Sequence, residues 1–508
     1  MRILFLATFL TLTSSAFSQT IKFKISDLPD TTVNLVRYFG KGLYYADTAE
    51  AKRGIIEFDG SKQDAGILAL FLPGEQLLEF VYNDEDILIE STAKNPMPNA
   101  KVKKSEENKI FLDYVSFISK ERAQINVMQK ELETTDKESK RYEILTKQIK
   151  DKNKGVIDYQ RDIVKSHPDM LVSKMINMSM DVEIPEAPTD ENGVVLDSNF
   201  RFNYFKKHYW DNVDFNDDRL VRSSIYHTKL QNYFEKTMVQ HWDTIIKYAI
   251  QLCDQFPEGS DMLQYSVSWI TSNYERSKIM GMDKVFVRMG QRYYCGKDED
   301  RTAKAHWMPE KKLEDLCKKV DIDEHLVMGV VPPNIMLPDT TNKVWHNFYE
   351  LDADYTIIYF WDPECGHCKK ITPKLQTLYA EKLRDRNVEI FAVGKAVGED
   401  FEKWKKFIKK NKLEFINVAM TDSLYNAAKI DARSVIAKHR TTLEALNYQT
   451  TFDVFMTPKV FVLDKDKKII GKGLNLSQLE EYLDRLQGVP EAEKLFPVEE
   501  QPKDEEIH

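Results

Sequence analysis

The chain has 508 residues, 42% of them hydrophobic and 11% aromatic, a composition that suits two to four packed domains and excludes a disordered polymer. Its net charge of −9 speaks against a nucleic-acid partner, which would call for a basic face. Five cysteines are too few for a disulfide framework, so stability has to come from cores. At the N-terminus, Arg2 is followed by a short apolar run and by small residues at Ala16 and Ser18. This is the pattern of a secretory signal peptide over residues 1–18, cleaved after Ser18, because the run falls short of the ~20 residues that span a bilayer. No cysteine follows the cleavage point, so a lipid anchor is not indicated, and no later stretch reads as a transmembrane segment. The expectation is an exported protein, most simply periplasmic.

Residues 19–100 carry short strand-like runs at 20–25, 32–38, 54–58, 67–72, 76–81 and 86–90, separated by turn signals such as Asp59-Gly60 and Pro73-Gly74. Antiparallel strands at that spacing predict an all-β, sandwich-like domain. Residues 101–330 read as mainly α-helical. Ser105 and two glutamates begin one helix, and Thr135-Asp136-Lys137-Glu138 resembles a capping box for a second. Residues 183–197, rich in Pro, Asp and Glu, read as a linker or a long loop. The aromatic group Tyr204, Phe205, Tyr209, Trp210 and Phe215 is read as helix packing rather than a peptide-binding surface. His208, His227 and His241 lack the pairing of metal sites, so no metal is expected. Cys253 and Cys317, in helix-like apolar settings, read as inert core residues; Cys295 is less clearly buried, and these three allow one further disulfide at most.

The strongest signal comes later. The apolar run 355–361 predicts a buried strand that leads into Cys365-Gly366-His367-Cys368, and Ile371, Leu375, Leu378 and Leu383 recur at near-helical spacing beyond it. Cys365 is thus placed at a helix N-terminus, where unpaired N–H groups and the macrodipole favour a thiolate. A thiolate attacks disulfides, and Cys368, one turn on, is placed to resolve the mixed disulfide. A zinc site would need two close pairs of ligands, and the other cysteines are isolated. The chain also lacks a flavin or nicotinamide fingerprint, so no cofactor is expected and electrons have to pass through a partner protein.

Together with Pro373 and the segment 456–463, which holds Thr457-Pro458 before a strand, these residues resemble a thioredoxin-fold active site and its cis-proline loop. Residues 331–345, with Pro332, Pro333 and Trp345, resemble the N-terminal hairpin of TlpA-like and ResA-like extracytoplasmic thiol–disulfide oxidoreductases. The resemblance implies an α/β thioredoxin fold over 331–488. It also implies that Cys365 and Cys368 are catalytic, and that Trp361, Thr457 and Pro458 contact substrate. Its protein partners would be disulfide substrates and a redox partner. By the same resemblance His367 stabilises the Cys365 thiolate, moving the couple from about −270 mV toward about −180 mV. One departure stands out: Tyr359 occupies the position, six before Cys365, where many thioredoxins carry a buried acid. The proton relay is therefore unassigned, with Lys395, Glu399 and Asp400 following the next strand. Residues 421–455 read as an insertion with a helix around 434–447. The parts at 19–100 and 101–330 resemble modules of unknown function that precede such domains, and 489–508 reads as an acidic, disordered tail. The expected activity is an exported thiol–disulfide oxidoreductase, acting as a reductant. A disulfide oxidase or isomerase using the same site, or a non-enzymatic scaffold, remain the alternatives.

Overall fold

The computed structural model describes residues 19–439, 441–489 and 493–496. The expected signal peptide, its cleavage after Ser18 and most of the acidic tail lie outside them. The chain divides into two compact units, residues 1–240 with 251–266, and residues 241–250 with 267–508.

In the first unit, eight strands form two four-stranded sheets. These are β1 (Thr20–Ile25), β2 (Thr31–Phe39), β3 (Gly42–Ala51), β4 (Ile55–Asp59), β5 (Gly66–Leu72), β6 (Gln76–Tyr82), β7 (Ile87–Ser91) and β8 (Lys101–Lys104). The sheet orders are β4-β1-β7-β8 and β3-β2-β5-β6. Alternation decides which face is inside: Ile21, Phe23 and Ile25 of β1 are buried with Leu35, Phe58 and Phe80, while Lys24 points to water. The expected sandwich is present, with one parallel pair, β1 and β7. Sequence reading missed β3 and β8. Both are edge strands with little buried on either face, so neither shows a period of two.

Two long helices follow, α1 (Glu106–Thr134) and α2 (Lys140–Ser166). Ser105 caps α1 as expected, its Oγ accepting from the Asn108 N–H at 3.0 Å. The cap of α2 is Ser139, which accepts from the Tyr142 N–H at 3.2 Å, rather than Thr135. The Thr135 hydroxyl instead donates to the Glu131 carbonyl at 2.7 Å, closing the end of α1. Helix α3 (Leu171–Ser179) has no cap of its own; the Glu107 carboxylate accepts from the N–H groups of Leu171 and Val172 at 3.0 and 3.1 Å. Residues 183–197 contain only an isolated bridge, between Thr189 and Val195. Beyond α4 (Phe200–His208), Tyr209 and Trp210 pack on Tyr233, and Tyr209 is buried, in keeping with a packing role. Helices α5 (Ser224–Gln231), α6 (Trp242–Cys253) and α7 (Asp261–Glu275) continue the chain.

In the second unit, the segment that follows α8 (Asp283–Met289) is tied to α9 (Glu310–Asp323) by a disulfide from Cys295 to Cys317. This corrects the reading of Cys317 as an inert core thiol: an apolar helical setting does not show what the opposite sulfur will be. A short hairpin, β9 (Met336–Pro338) and β10 (Trp345–Asn347), precedes a five-stranded sheet. Its elements are β11 (Tyr355–Trp361), α10 (Gly366–Leu378), β12 (Val388–Ala396), α11 (Asp400–Asn411), β13 (Ile416–Thr421), α12 (Asp422–His439), α13 (Leu443–Leu446), α14 (Tyr448–Thr451), β14 (Lys459–Leu463), β15 (Ile469–Lys472) and α15 (Leu476–Leu486). The order is β13-β12-β11-β14-β15, with β11, β12 and β13 parallel and β14 antiparallel to both its neighbours. Both faces are covered, which is why β11 is an unbroken apolar run: Ile357 and Tyr359 face one core, Ile358 and Phe360 the other. The helix expected around 434–447 is in fact two pieces, the end of α12 and α13, and α12 is kinked at Asp431.

The β15 edge is closed by residues upstream of 331. The Gly329 N–H donates to the Ile469 carbonyl at 2.7 Å, and the Ile469 N–H to the Val330 carbonyl at 2.9 Å. Met280 Sδ accepts from the Lys472 N–H at 3.4 Å. An edge covered in this way offers no template for another strand.

Candidate active site

Strand β11 ends at Trp361, and a tight turn carries the chain into α10. The Asp362 carboxylate accepts from the Glu364 N–H at 2.7 Å, and the Asp362 carbonyl from the Cys365 N–H at 3.1 Å. Cys365 is the N-cap of α10 and no side chain caps that end, so its sulfur stands where the helix has N–H groups to spare. Both cysteines of the motif are thiols, Cys365 partly exposed and Cys368 fully buried. The Cys365 thiol donates to the Thr457 carbonyl at 3.3 Å, and the Thr457–Pro458 peptide is cis. The structure thus brings Cys365, Cys368, Thr457 and Pro458 together, although 92 residues separate Cys365 from Thr457.

The two sulfurs are unlike. Partial burial works against ionisation at Cys365, but the backbone N–H groups of Cys368 and His367 outweigh it and hold the thiol below its ordinary range. Burial pushes the Cys368 thiol up to about 11, reinforced by the neighbouring Cys365 and opposed by the Asp362 N–H. Of the two, Cys365 is the sulfur whose thiolate is favoured, and Cys368 the one held as a thiol.

The remaining expected residues fall in different places. His367 is exposed and lines an apolar cavity of about 260 Å³ with Tyr359, Ile371, Pro458 and Leu474. Trp361, read as a substrate contact, is instead 1% exposed and packs on Phe407. The correction has a simple cause: the last residue of a strand covered on both faces has no open side to offer. Tyr359 is buried, its hydroxyl bonded to Thr372 at 2.8 Å, and burial pushes the phenol well above its usual range. It is no base. Lys395 pairs with Asp362 at 3.3 Å and with Asp400 at 3.5 Å, and the Asp362 charge raises its affinity for its proton.

Sequence reasoning missed Asp362, which a search for an acid six residues before the cysteine passes over. It also missed Phe455 and Met456, which are 85% and 83% exposed directly before Thr457. Two large apolar residues next to Thr-Pro were the available signal. Among the described residues, no group of three or more His, Cys, Asp or Glu is placed to hold a metal ion, and no helix is long and apolar enough to cross a membrane.

Three family models match the chain: a domain of unknown function (DUF4369) over residues 19–111, a domain of unknown function (DUF5106) over 143–319, and a thioredoxin-like model over 352–469. No curated protein matches. Among solved structures, the chain is similar to a domain of a possible thiol-disulfide isomerase from Cytophaga hutchinsonii, at 31% identity over 32% of this chain and 94% of that one, with a TM-score of 0.25. It is also similar to the thioredoxin domain of a thiol-disulfide oxidoreductase from Bacteroides vulgatus, at 22% identity over 32% and 97%, with a TM-score of 0.24. A thioredoxin-like protein from Bacteroides caccae matches at 17% identity over 59% of this chain and 98% of that one, with a TM-score of 0.31. Through its C-terminal domain, which two domains of unknown function precede, the chain belongs to the thioredoxin-like family.

Proposed function

We propose that the chain is an exported thiol–disulfide oxidoreductase that acts on protein disulfides through Cys365 and Cys368, working as a reductant. The observation that carries this reading is the asymmetry of the two thiols beside Thr457–Pro458: one acidified and accessible, the other buried and held neutral. In the proposed reaction the Cys365 thiolate attacks one sulfur of a substrate disulfide. That S–S bond breaks, a mixed disulfide forms, and the departing substrate thiolate takes up a proton. Cys368 then gives up its proton and attacks the Cys365 sulfur. The substrate leaves as a dithiol, and the two electrons it gains come from the enzyme dithiol, which is now a disulfide. A redox partner protein returns the pair to the reduced state. The Thr457 carbonyl, which holds the resting Cys365 thiol, becomes available to a substrate N–H as the thiolate attacks, and His367 tunes the potential.

The test is the reduction potential of the couple, measured by thiol alkylation across a series of glutathione buffers. A value below about −250 mV supports the reductant, and a value near −180 mV moves the reading to an oxidase or isomerase. If no reversible couple appears, the non-enzymatic scaffold takes its place.

A further inference from the structure

Beside the thiol site lies a second and larger hollow, of about 550 Å³, and its far wall comes from helical residues upstream of residue 331. Residues 277–281, in the loop between α7 and α8, form part of that wall with Asp283 of α8, and α9 supplies Lys319 and Asp323. The near wall is the strand that follows Pro458. Lys459, Val460, Gly473 and Leu474 line both this hollow and the apolar cavity at His367, so the two are adjoining parts of one surface that begins at the cis-proline.

We propose that this wall selects substrate: the hollow binds the extended, uncharged stretch of polypeptide that flanks the disulfide at Cys365. The inference rests on the oxidoreductase reading and deepens it. Three observations choose the occupant. First, six of the seven charged side chains in its lining, all but Lys278, form three pairs. Lys319 bonds Asp323 at 2.7 Å, Lys459 bonds Asp453 at 3.2 Å, and Lys472 pairs with Asp283. A hollow so largely neutralised from within has little pull on a poly-ion, yet it holds both donors and acceptors that suit a peptide main chain. Second, apolar side chains are interleaved with these pairs: Ile279, which is 48% exposed, with Val460, Phe461 and Leu474. Third, the β15 edge is already closed by Met280, Gly329 and Val330, so a partner cannot join the sheet as a further strand there. A chain leaving the thiols on this side has to lie in the hollow. Phe455 and Met456, exposed just before Thr457, extend the same apolar character on the loop that holds Cys365.

The test is a single turnover of the reduced full-length chain against two disulfides, with no electron donor needed. One is glutathione disulfide, which engages only the thiol site. The other is an uncharged peptide of about twelve residues, ~40 Å when extended, closed by one disulfide near its middle. Ile279→Trp fills the hollow from an exposed position outside the thiol machinery. It should lower the peptide's second-order rate about ten-fold and leave that of glutathione disulfide within about two-fold. Ile279→Asp, which adds an unpaired charge to the same wall, should act in the same direction and serves if the tryptophan variant does not fold. An unchanged peptide rate in the folded variants would overturn the inference, as would equal losses on both disulfides. A wild-type chain inert toward both disulfides would overturn the oxidoreductase reading itself, and the inference with it.

Discussion

The second unit contains two cysteine pairs, and the same element behaves oppositely in them. Cys295 and Cys317 stand 22 residues apart, Cys295 is 4% exposed, and the two are joined. Cys365 and Cys368 are thiols with one sulfur partly exposed. The difference lies in the backbone around each sulfur. Cys317 sits in the middle of α9, where its N–H and its neighbours' are used by the helix itself, and Cys295 spends its N–H on the Gly290 carbonyl at 2.9 Å. Cys365 stands at a helix start with N–H groups to spare, beside a loop that offers the Thr457 carbonyl. The pair at 295 and 317 is a brace, and the pair at 365 and 368 is, on the proposed reading, a reagent.

The sharpest way to break this comparison is to remove one sulfur from each pair. Cys365→Ser should abolish disulfide reduction, whereas Cys368→Ser should trap a mixed disulfide at Cys365, visible as an adduct by mass spectrometry; turnover by Cys365→Ser would end the assignment. Removing the brace region entirely is the next largest change. A chain begun at residue 331 loses the Gly329 and Val330 bonds that close β15, and should aggregate or melt earlier than a chain begun at residue 267. Sedimentation and thermal melting would show this, and a monomeric fragment of equal stability would disprove the role of the closed edge.

Cutting only the brace is milder. Cys295→Ser with Cys317→Ser should cost about 3 kcal/mol of stability by the loop-entropy estimate, read from denaturant unfolding, while the potential of the Cys365–Cys368 couple stays where it was. A shifted potential would mean that the two pairs are coupled. A pH series sharpens the contrast within the reactive pair. Alkylation of the reduced protein should modify Cys365 below the ordinary thiol range and reach Cys368 only as pH approaches about 11. The sign for stability follows. Below the ordinary thiol range, about 8.5, Cys368 is protonated in both states and has no effect. From there up to about 11 the unfolded chain ionises first, so stability falls as pH rises. Equal alkylation rates at neutral pH would contradict the asymmetry. The smallest effect is expected from Tyr359→Phe, which removes the bond to Thr372: about 1 kcal/mol of stability, with the alkylation profile of Cys365 unmoved. A changed profile would instead give the phenol a part in proton transfer.

Local pattern was enough for much of this. The apolar run of β11, the cysteines at the start of α10, Pro373 within that helix and the Thr457-Pro458 before β14 are all features of neighbouring residues, and periodicity or spacing displays them. The buried faces of the sandwich were legible for the same reason, through alternation along β1 and β2. Edge strands were not, because β3 is held by its partner β2 rather than by a buried face of its own. Other features depend on what lies opposite. Trp361 looks like a site residue until both sides of its strand are filled, Cys317 looks like a core thiol until Cys295 meets it, and Asp362 gains Lys395 only when β12 is laid beside β11. The sequence by itself determined where the paired cysteines and their strand and helix would lie, since helix ends and apolar runs act over a few residues. Only the tertiary structure decided which sulfur is buried, which edge is closed and which surface stands next to the thiols, because burial, pairing and desolvation are properties of residues far apart in the chain.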